Sequence, residues 1–300
     1  MIRILWLNLT KEMKKINNKF LEKLPLKNIQ RMEQVRGGDV NKAFKVMANG
    51  ENYFLLVQPH ATKDFFTPEA AGLRDFKRAG VTAPEVIDWG DIGSDAYLLI
   101  TYLEEGYLHN YSELAKMIAH LHHYPSQNGL FGYDYPHHGA KMTFDNTWTD
   151  SWTELFVERR LDRLRDELIQ LGYWSDAEVS QYEKARLIMI YELDTHRSQP
   201  VLLHGDLWGG NHMFLKNGQP AIFDPSPLYG DREFDLGVAT SFGVYPTEFF
   251  ESYHREFPLE SGVELRLAFY RLYVYMNHLH KFGRIYENPV NQTLNEIIYY

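Results

Sequence analysis

The 300-residue chain contains no cysteine, which excludes disulfides, thiolate catalysis and cysteine-ligated zinc, and is compatible with a reducing cytoplasm. It has no long basic run, and its net charge is −9, so nucleic acid and anionic membrane surfaces are poor partners. An anionic nucleotide stays compatible, because a divalent cation, a local lysine or a helix N-terminus neutralises phosphates. The apolar run Ile2–Leu7 is too short to cross a membrane and has no small-residue cleavage site. Cytoplasmic localisation is the expectation. Internal repeats and low-complexity linkers are also missing.

What remains is an ordinary globular composition, 44% hydrophobic and 24% charged, with 20 Tyr, 18 Phe and 6 Trp. Three hundred residues exceed the comfortable size of one core, so two lobes are expected. Residues 1–28 read as an N-terminal helix and appendage, with Ile16, Phe20 and Leu24 on one stripe of a helix over residues 11–24. Strands are predicted over 32–35, 43–48 and 53–58, the last two joined by the hairpin signal Asn49-Gly50. A helix over 67–79 follows, with Thr67 as N-cap, Pro68 in the first turn and Gly80 beyond its end. Two more strands, 85–89 and 96–102, complete a β-rich lobe over 29–103. From 104 to 300 the pattern changes to long helices, at 112–123, 149–171, 175–196 and 259–282.

The chemistry is concentrated in Leu203-His204-Gly205-Asp206-Leu207-Trp208-Gly209-Gly210-Asn211 and Phe223-Asp224-Pro225. Phosphoryl transfer from a nucleotide needs a carboxylate to take the hydroxyl proton, plus an amide oxygen and a second carboxylate to hold Mg²⁺. Asp206, Asn211 and Asp224 supply those groups in that order, and Asp206-to-Asn211 is the interval of the protein kinase catalytic loop. Met213–Leu215 and Ala221–Phe223 read as strands around Asn217-Gly218, a hairpin that would set Asn211 beside Asp224. His204 and Asp235 read as supports of this loop. The histidines at 120, 122, 123, 137 and 138 read as solvated surface residues, since no third ligand is spaced to complete a zinc site. Glu158-Arg159-Arg160 reads as an ion-pair cluster on an amphipathic helix.

On these motifs the chain resembles the fructosamine kinase (ketosamine-3-kinase) family, relatives of aminoglycoside and choline kinases. Further markers are Gly37-Gly38-Asp39-Val40-Asn41, Phe66–Ala70, Phe156–Leu161 and Tyr229-Gly230-Asp231-Arg232-Glu233. The resemblance implies an α+β, protein kinase-like two-lobe fold with a small β-rich N-lobe and a large helical C-lobe. It implies ATP and Mg²⁺ as cofactors, and phosphorylation of the 3-hydroxyl of a small-molecule or protein-bound ketosamine, promoting deglycation. Asp206 would be the catalytic base, with Asn211 and Asp224 as the metal ligands. Gly37, Gly38 and Asn41 would cover the phosphates, Glu69 would match the helix glutamate, and the Thr101–Leu103 backbone would read adenine. Trp208, Tyr229, Asp231 and Glu233 would line the sugar side. The family's phosphate-clamping lysine, however, is Leu56 here. Lys45, two residues beyond Ala43 and facing the same way, is the expected substitute. Two alternatives stay open: a phosphotransferase of aminoglycoside or choline type, and a catalytically weak nucleotide-binding regulator suggested by Leu56.

Overall fold

The computed structural model describes residues 18–35, 41–138 and 142–300; Gly37, Gly38 and most of the expected first helix lie outside the described residues. The chain divides into two compact units.

The first unit comprises the residues up to Ala70 and Pro84–Leu103. Here α1 (Asn18–Leu21) precedes β1 (Ile29–Val35), β2 (Lys42–Ala48), β3 (Glu51–Gln58), β4 (Val86–Ile92) and β5 (Asp95–Thr101). The strands form one antiparallel sheet in the order β1-β2-β3-β5-β4. The β2–β3 hairpin turns at Asn49 and Gly50, both with positive φ (53° and 82°), as a two-residue turn matched to strand twist requires. Strand alternation then sorts the side chains. Phe44, Val46, Leu55, Val57, Tyr97 and Leu99 share one face and pack with Phe20 and Leu24 into the unit's core. Ala43, Lys45 and Leu56 occupy the other face, with Ala43 paired to Leu56 and Lys45 to Phe54. Lys42 falls on the core side of that alternation.

Helix α2 (Thr67–Arg78) follows a short 3₁₀ turn, and from Ala71 onward its residues belong to the second unit. The expected N-cap role of Thr67 is replaced. Its hydroxyl donates to the Lys63 carbonyl at 3.0 Å and accepts from Trp89 Nε1 at 3.1 Å. The division of α2 corrects a simple boundary at residue 103, and the reason is bonding. Asp75 accepts from the Tyr133 hydroxyl at 2.6 Å, and the Thr82 carbonyl accepts from the Ile222 N–H at 3.1 Å.

The second unit is mainly helical: α3 (Tyr111–Leu121), a π-helical segment (Glu154–Asp162) running into α4 (Arg163–Gln170), and α5 (Asp176–His196). After these come α6 (Glu233–Thr240), α7 (Thr247–Glu256), α8 (Val263–Phe282) and α9 (Glu287–Tyr299). Short strand pairs lie between the helices: β6 (His137–His138) with β7 (Thr143–Phe144), β8 (Val201–Leu203) with β11 (Leu228–Gly230), and β9 (His212–Phe214) with β10 (Pro220–Ile222). Helix α5 opens with a capping box between Ser175 and Glu178.

The expected helix over 149–171 is instead wide at its start. Arg160 is buried there, donating to the Leu155 carbonyl at 2.9 Å and to Asn146. Arg159 pairs with Glu154 and with Asp145. Helix α6 has no counterpart in the sequence reading because it is buried from Glu233 to Ala239, so no amphipathic period marks it. Trp152, Phe156, Phe234, Tyr270 and Tyr273 pack ring against ring at its side.

Candidate active site

Strand β8 delivers His204-Gly205-Asp206 to a tight loop, and the loop's shape follows from glycine at 205. Its φ is +80°, and a Cβ there would sit 1.7 Å from the Ser226 carbonyl oxygen. The Ser226 N–H in turn donates to the His204 carbonyl at 2.9 Å. Helix α6 anchors the loop from below. The buried Asp235 carboxylate accepts from the His204 N–H at 2.7 Å and the Gly205 N–H at 2.8 Å. It also lies 3.2 Å from His122 Nε2, and His122 Nδ1 is 2.8 Å from the Tyr253 hydroxyl. His122 is therefore a buried support, which corrects its reading as a surface histidine; burial of its polar ring is offset by two partners.

His204 is fully buried, and burial pushes its imidazole below the ordinary histidine range. The neutral ring fits its contacts. Nδ1 accepts from the Asp206 N–H at 3.2 Å, and Nε2–H donates to the Phe223 carbonyl at 3.0 Å. One side chain thus ties the Asp206 loop to the residue before Asp224.

The three predicted groups converge. The Asn211 amide N–H donates to the Asp206 carbonyl and to Asp206 Oδ2, each at 2.9 Å, with the Asp224 carbonyl 3.4 Å away. The β9–β10 hairpin makes this possible, the Phe223 N–H donating to the Asn211 carbonyl at 3.1 Å. With its nitrogen committed to Asp206, the Asn211 side chain has its oxygen end left for a cation. Asp224 takes a left-handed backbone (φ 56°), and the residue as a whole is exposed. Loss of water pushes the Asp206 carboxyl up to about 7, the Asp224 carboxylate adds to the rise, and the Asn211 hydrogen bond opposes it. Asp224 is also shifted up, by the protein atoms crowded around its carboxyl, although the residue itself is exposed. Two carboxylates, of which Asp224 raises the proton affinity of Asp206, with the Asn211 amide next to them, are a hard-oxygen donor set suited to Mg²⁺.

Trp208 is 42% exposed, and its ring lies against Gly210, where a Cβ would come within 2.2 Å of it. Sequence reasoning missed two elements of this rim. Tyr245 reaches His212 Nδ1 at 3.2 Å and the Trp208 carbonyl at 3.5 Å. Lys281, near the end of α8, lowers the proton affinity of Asp206 through its charge. Neither sits in a motif. Lys281 ends a helix whose only sequence signal is its apolar stripe.

The comparisons identify the family. The fructosamine kinase family model matches residues 12–299. The chain belongs to the fructosamine kinase family. A protein assigned as a ketoamine kinase in Staphylococcus aureus is 47% identical over 283 residues, covering 94% of this chain and 98% of that one. Its counterpart in Lactiplantibacillus plantarum is 37% identical, covering 92% and 97%. The solved structure of a protein assigned as a fructosamine-3-kinase in Thermobifida fusca superposes with a TM-score of 0.82 at 23% identity, covering 91% of this chain and 94% of that one. Aminoglycoside phosphotransferase APH(4)-Ia, in ternary complex with ADP and hygromycin B, superposes with a TM-score of 0.64 at 16% identity, covering 90% and 94%. This member of the family is therefore a kinase with the α+β, protein kinase-like fold. Among the described residues, no helix is long and apolar enough to cross a membrane.

The other expected site residues are distributed as follows. In the first unit, the Lys45 ammonium stands 4.1 Å from the Tyr102 ring centroid, on the same sheet face as Leu56. Asn41 Oδ1 is buried with no hydrogen-bond partner among the described residues. Glu69 lies in the first turn of α2. Thr101 ends β5, its hydroxyl accepting from the Glu85 N–H at 2.9 Å, and Leu103 follows two residues on.

In the second unit, Tyr229, Asp231 and Glu233, expected to line the sugar side, divide between two surroundings. Leu228 packs on Gly205, so strand alternation turns Tyr229 to the opposite side of β11. There it lines a cavity of about 630 Å³ with Asp75, Tyr133 and Trp148. Asp231 and Glu233 are buried, held by Tyr270 and Arg266 respectively.

Proposed function

We propose that the protein transfers the γ-phosphoryl group of ATP to the 3-hydroxyl of a ketosamine of fructosamine or ribulosamine type, giving a product that breaks down to release the free amine. One observation carries the reading. Asn211 is hydrogen-bonded to Asp206 and lies next to Asp224, which brings base and metal-ligand chemistry into one loop pair. Asp206 orients the attacking hydroxyl and takes its proton as the oxygen bonds to phosphorus. Asn211 fixes the carboxylate that does so, and His204 and Asp235 hold the loop on which it sits. Mg²⁺ held by Asn211 and Asp224 offsets charge on the phosphoryl oxygens when bound. Trp208 offers an exposed aromatic face for the sugar–amine adduct. Lys45 supplies the phosphate-directed charge that Leu56 lacks, since both share one sheet face.

The test is ADP release with Mg²⁺-ATP and the fructosamine and ribulosamine derivatives of lysine, beside aminoglycoside and choline acceptors. Ketosamine-dependent turnover, with the product phosphate located on the 3-oxygen by ³¹P–¹H correlation, supports the reading. Turnover with aminoglycoside or choline alone assigns the rival phosphotransferase activity. ATP binding without any turnover assigns the regulatory one.

A further inference from the structure

A second group of ionisable side chains lies where α5 ends against the β11–α6 junction. His196 is the last residue of α5, and its side chain is only 7% exposed. Its Nε2 lies 3.7 Å from Asp231 Oδ2 and 3.8 Å from Glu233 Oε1, and the three ligand atoms lie within 4.8 Å of one another. On the ring's other side, Nδ1 is 3.4 Å from Oε2 of the solvent-exposed Glu260.

The carboxylates are fixed from behind. Asp231 Oδ1 accepts from the Glu233 N–H at 2.9 Å, and Oδ2 accepts from the Tyr270 hydroxyl at 2.7 Å. Arg266 donates to both Glu233 oxygens, at 2.7 and 2.9 Å. Two buried carboxylates against one guanidinium leave a net negative charge in a place where uncompensated charge is strongly disfavoured.

The imidazole does not resolve this by hydrogen bonding, because 3.7 and 3.8 Å are too long for N–H···O bonds. Glu260 beside Nδ1 favours the tautomer with its proton there, which aims the Nε2 lone pair at two carboxylate oxygens. Three potential ligand atoms within 4.8 Å of one another, beside uncompensated negative charge, make a place for a cation. Ligands each roughly 2.0–2.2 Å from a metal stand about 3–3.6 Å apart, so the 3.7 and 3.8 Å separations from Nε2 would close slightly on binding.

We propose that His196, Asp231 and Glu233 form a site for a divalent metal of the zinc or manganese class, with Glu260 as the outer partner that orients the histidine. One imidazole and two carboxylates suit such ions better than Mg²⁺, and set this site apart from the all-oxygen pair Asn211 and Asp224. The ion would clip the C-terminus of α5 to the segment that leads into α6, the helix carrying Asp235.

The experiment is titration of the chelator-stripped, nucleotide-free full chain with Zn²⁺, and with Co²⁺ as a spectroscopic substitute, in the wild type and in Asp224→Ala. One equivalent per chain is expected in both, with a rise in melting temperature. His196→Ala is expected to lose at least tenfold in affinity, and Glu260→Gln about ten- to a hundredfold, the usual effect of an outer partner. If His196→Ala does not fold, the exposed Glu260→Gln variant decides by itself. No uptake of Zn²⁺ or Mn²⁺ at pH 7.5, or uptake unchanged in these variants, overturns the site. An imidazolium ¹⁵N signature at His196 without metal uptake also overturns it, showing a proton in the cation's place.

Discussion

Asn211 holds Asp206 at two points, donating its side-chain N–H to the aspartate's carbonyl and to its carboxylate, both at 2.9 Å. The bond serves two ends. On the proposed reading it would orient the carboxylate that takes the hydroxyl proton, and it would leave the amide oxygen for a cation. Asp206→Ala should therefore reduce kcat by at least about 10²–10⁴-fold, the usual contribution of a general base, without changing the circular dichroism spectrum. Asn211→Ala should cost activity as well, and should raise the Mg²⁺ concentration needed for half-maximal rate. Steady-state kinetics against Mg²⁺ separate the two variants. An Asp206→Ala enzyme with wild-type kcat would remove this residue from the chemistry.

The proton affinity of Asp206 makes a second prediction. Its carboxyl is raised to about 7 from an ordinary 3.8, so between those values the folded chain holds a proton that the unfolded chain has released. The stabilising effect of that proton is complete below about pH 4 and is lost as the pH rises through 7. The metal-free protein should thus lose melting temperature between pH 5.5 and 8.5 more steeply than Asp206→Asn, which has no carboxyl to ionise. Mg²⁺-nucleotide should stabilise the wild type more at pH 8 than at pH 6. Thermal melts of both proteins across that range check the sign. Parallel curves for the two would refute it.

The fold was legible from local signals wherever those signals were complete. Asn49-Gly50 specified a hairpin, the pattern over residues 175–196 a helix, and the Asp206–Asn211–Asp224 spacing a converged site. What stayed hidden has no short-range signature. Helix α6 is buried all round, so it has no polar face to give a period. His122 becomes a support only because Tyr253 and Asp235, each more than a hundred residues away in sequence, close on it. Tyr229, Asp231 and Glu233 stand in one motif, yet Tyr229 lines a cavity while Tyr270 and Arg266 hold the two carboxylates together in a buried cluster. A motif specifies which residues are present, and pairing partners decide which way they point.

Lys45 and Lys42 lie three residues apart on β2 and on opposite faces of the sheet, with Lys45 on the face of Leu56. If Lys45 carries the phosphate-directed charge, Lys45→Ala should lower kcat/KM for ATP about tenfold or more, roughly 1.4 kcal/mol of transition-state stabilisation. Lys42→Ala should leave it within about twofold. Varying ATP at saturating acceptor gives both numbers. Equal effects from the two lysines would return the question to Leu56 and the regulatory reading.

The loop itself is sensitive to one methyl group. At Gly205 a Cβ would meet the Ser226 carbonyl oxygen at 1.7 Å, and the backbone φ of +80° is unfavourable for any other residue. Left-handed strain of about 1–2 kcal/mol adds to an overpacking cost of about 1–3 kcal/mol, because the obstructing atom is main chain and cannot rotate away. Gly205→Ala should therefore destabilise the protein by about 2–5 kcal/mol and abolish turnover even where the chain still folds, since relief requires His204 and Asp206 to shift together. Asp235→Asn provides the contrast. It keeps the side-chain shape but weakens two charge-assisted bonds to the His204 and Gly205 amides, for a smaller loss of about 1–3 kcal/mol. Denaturant melts rank the two. If Gly205→Ala is the milder variant, the loop is more yielding than its contact with Ser226 implies.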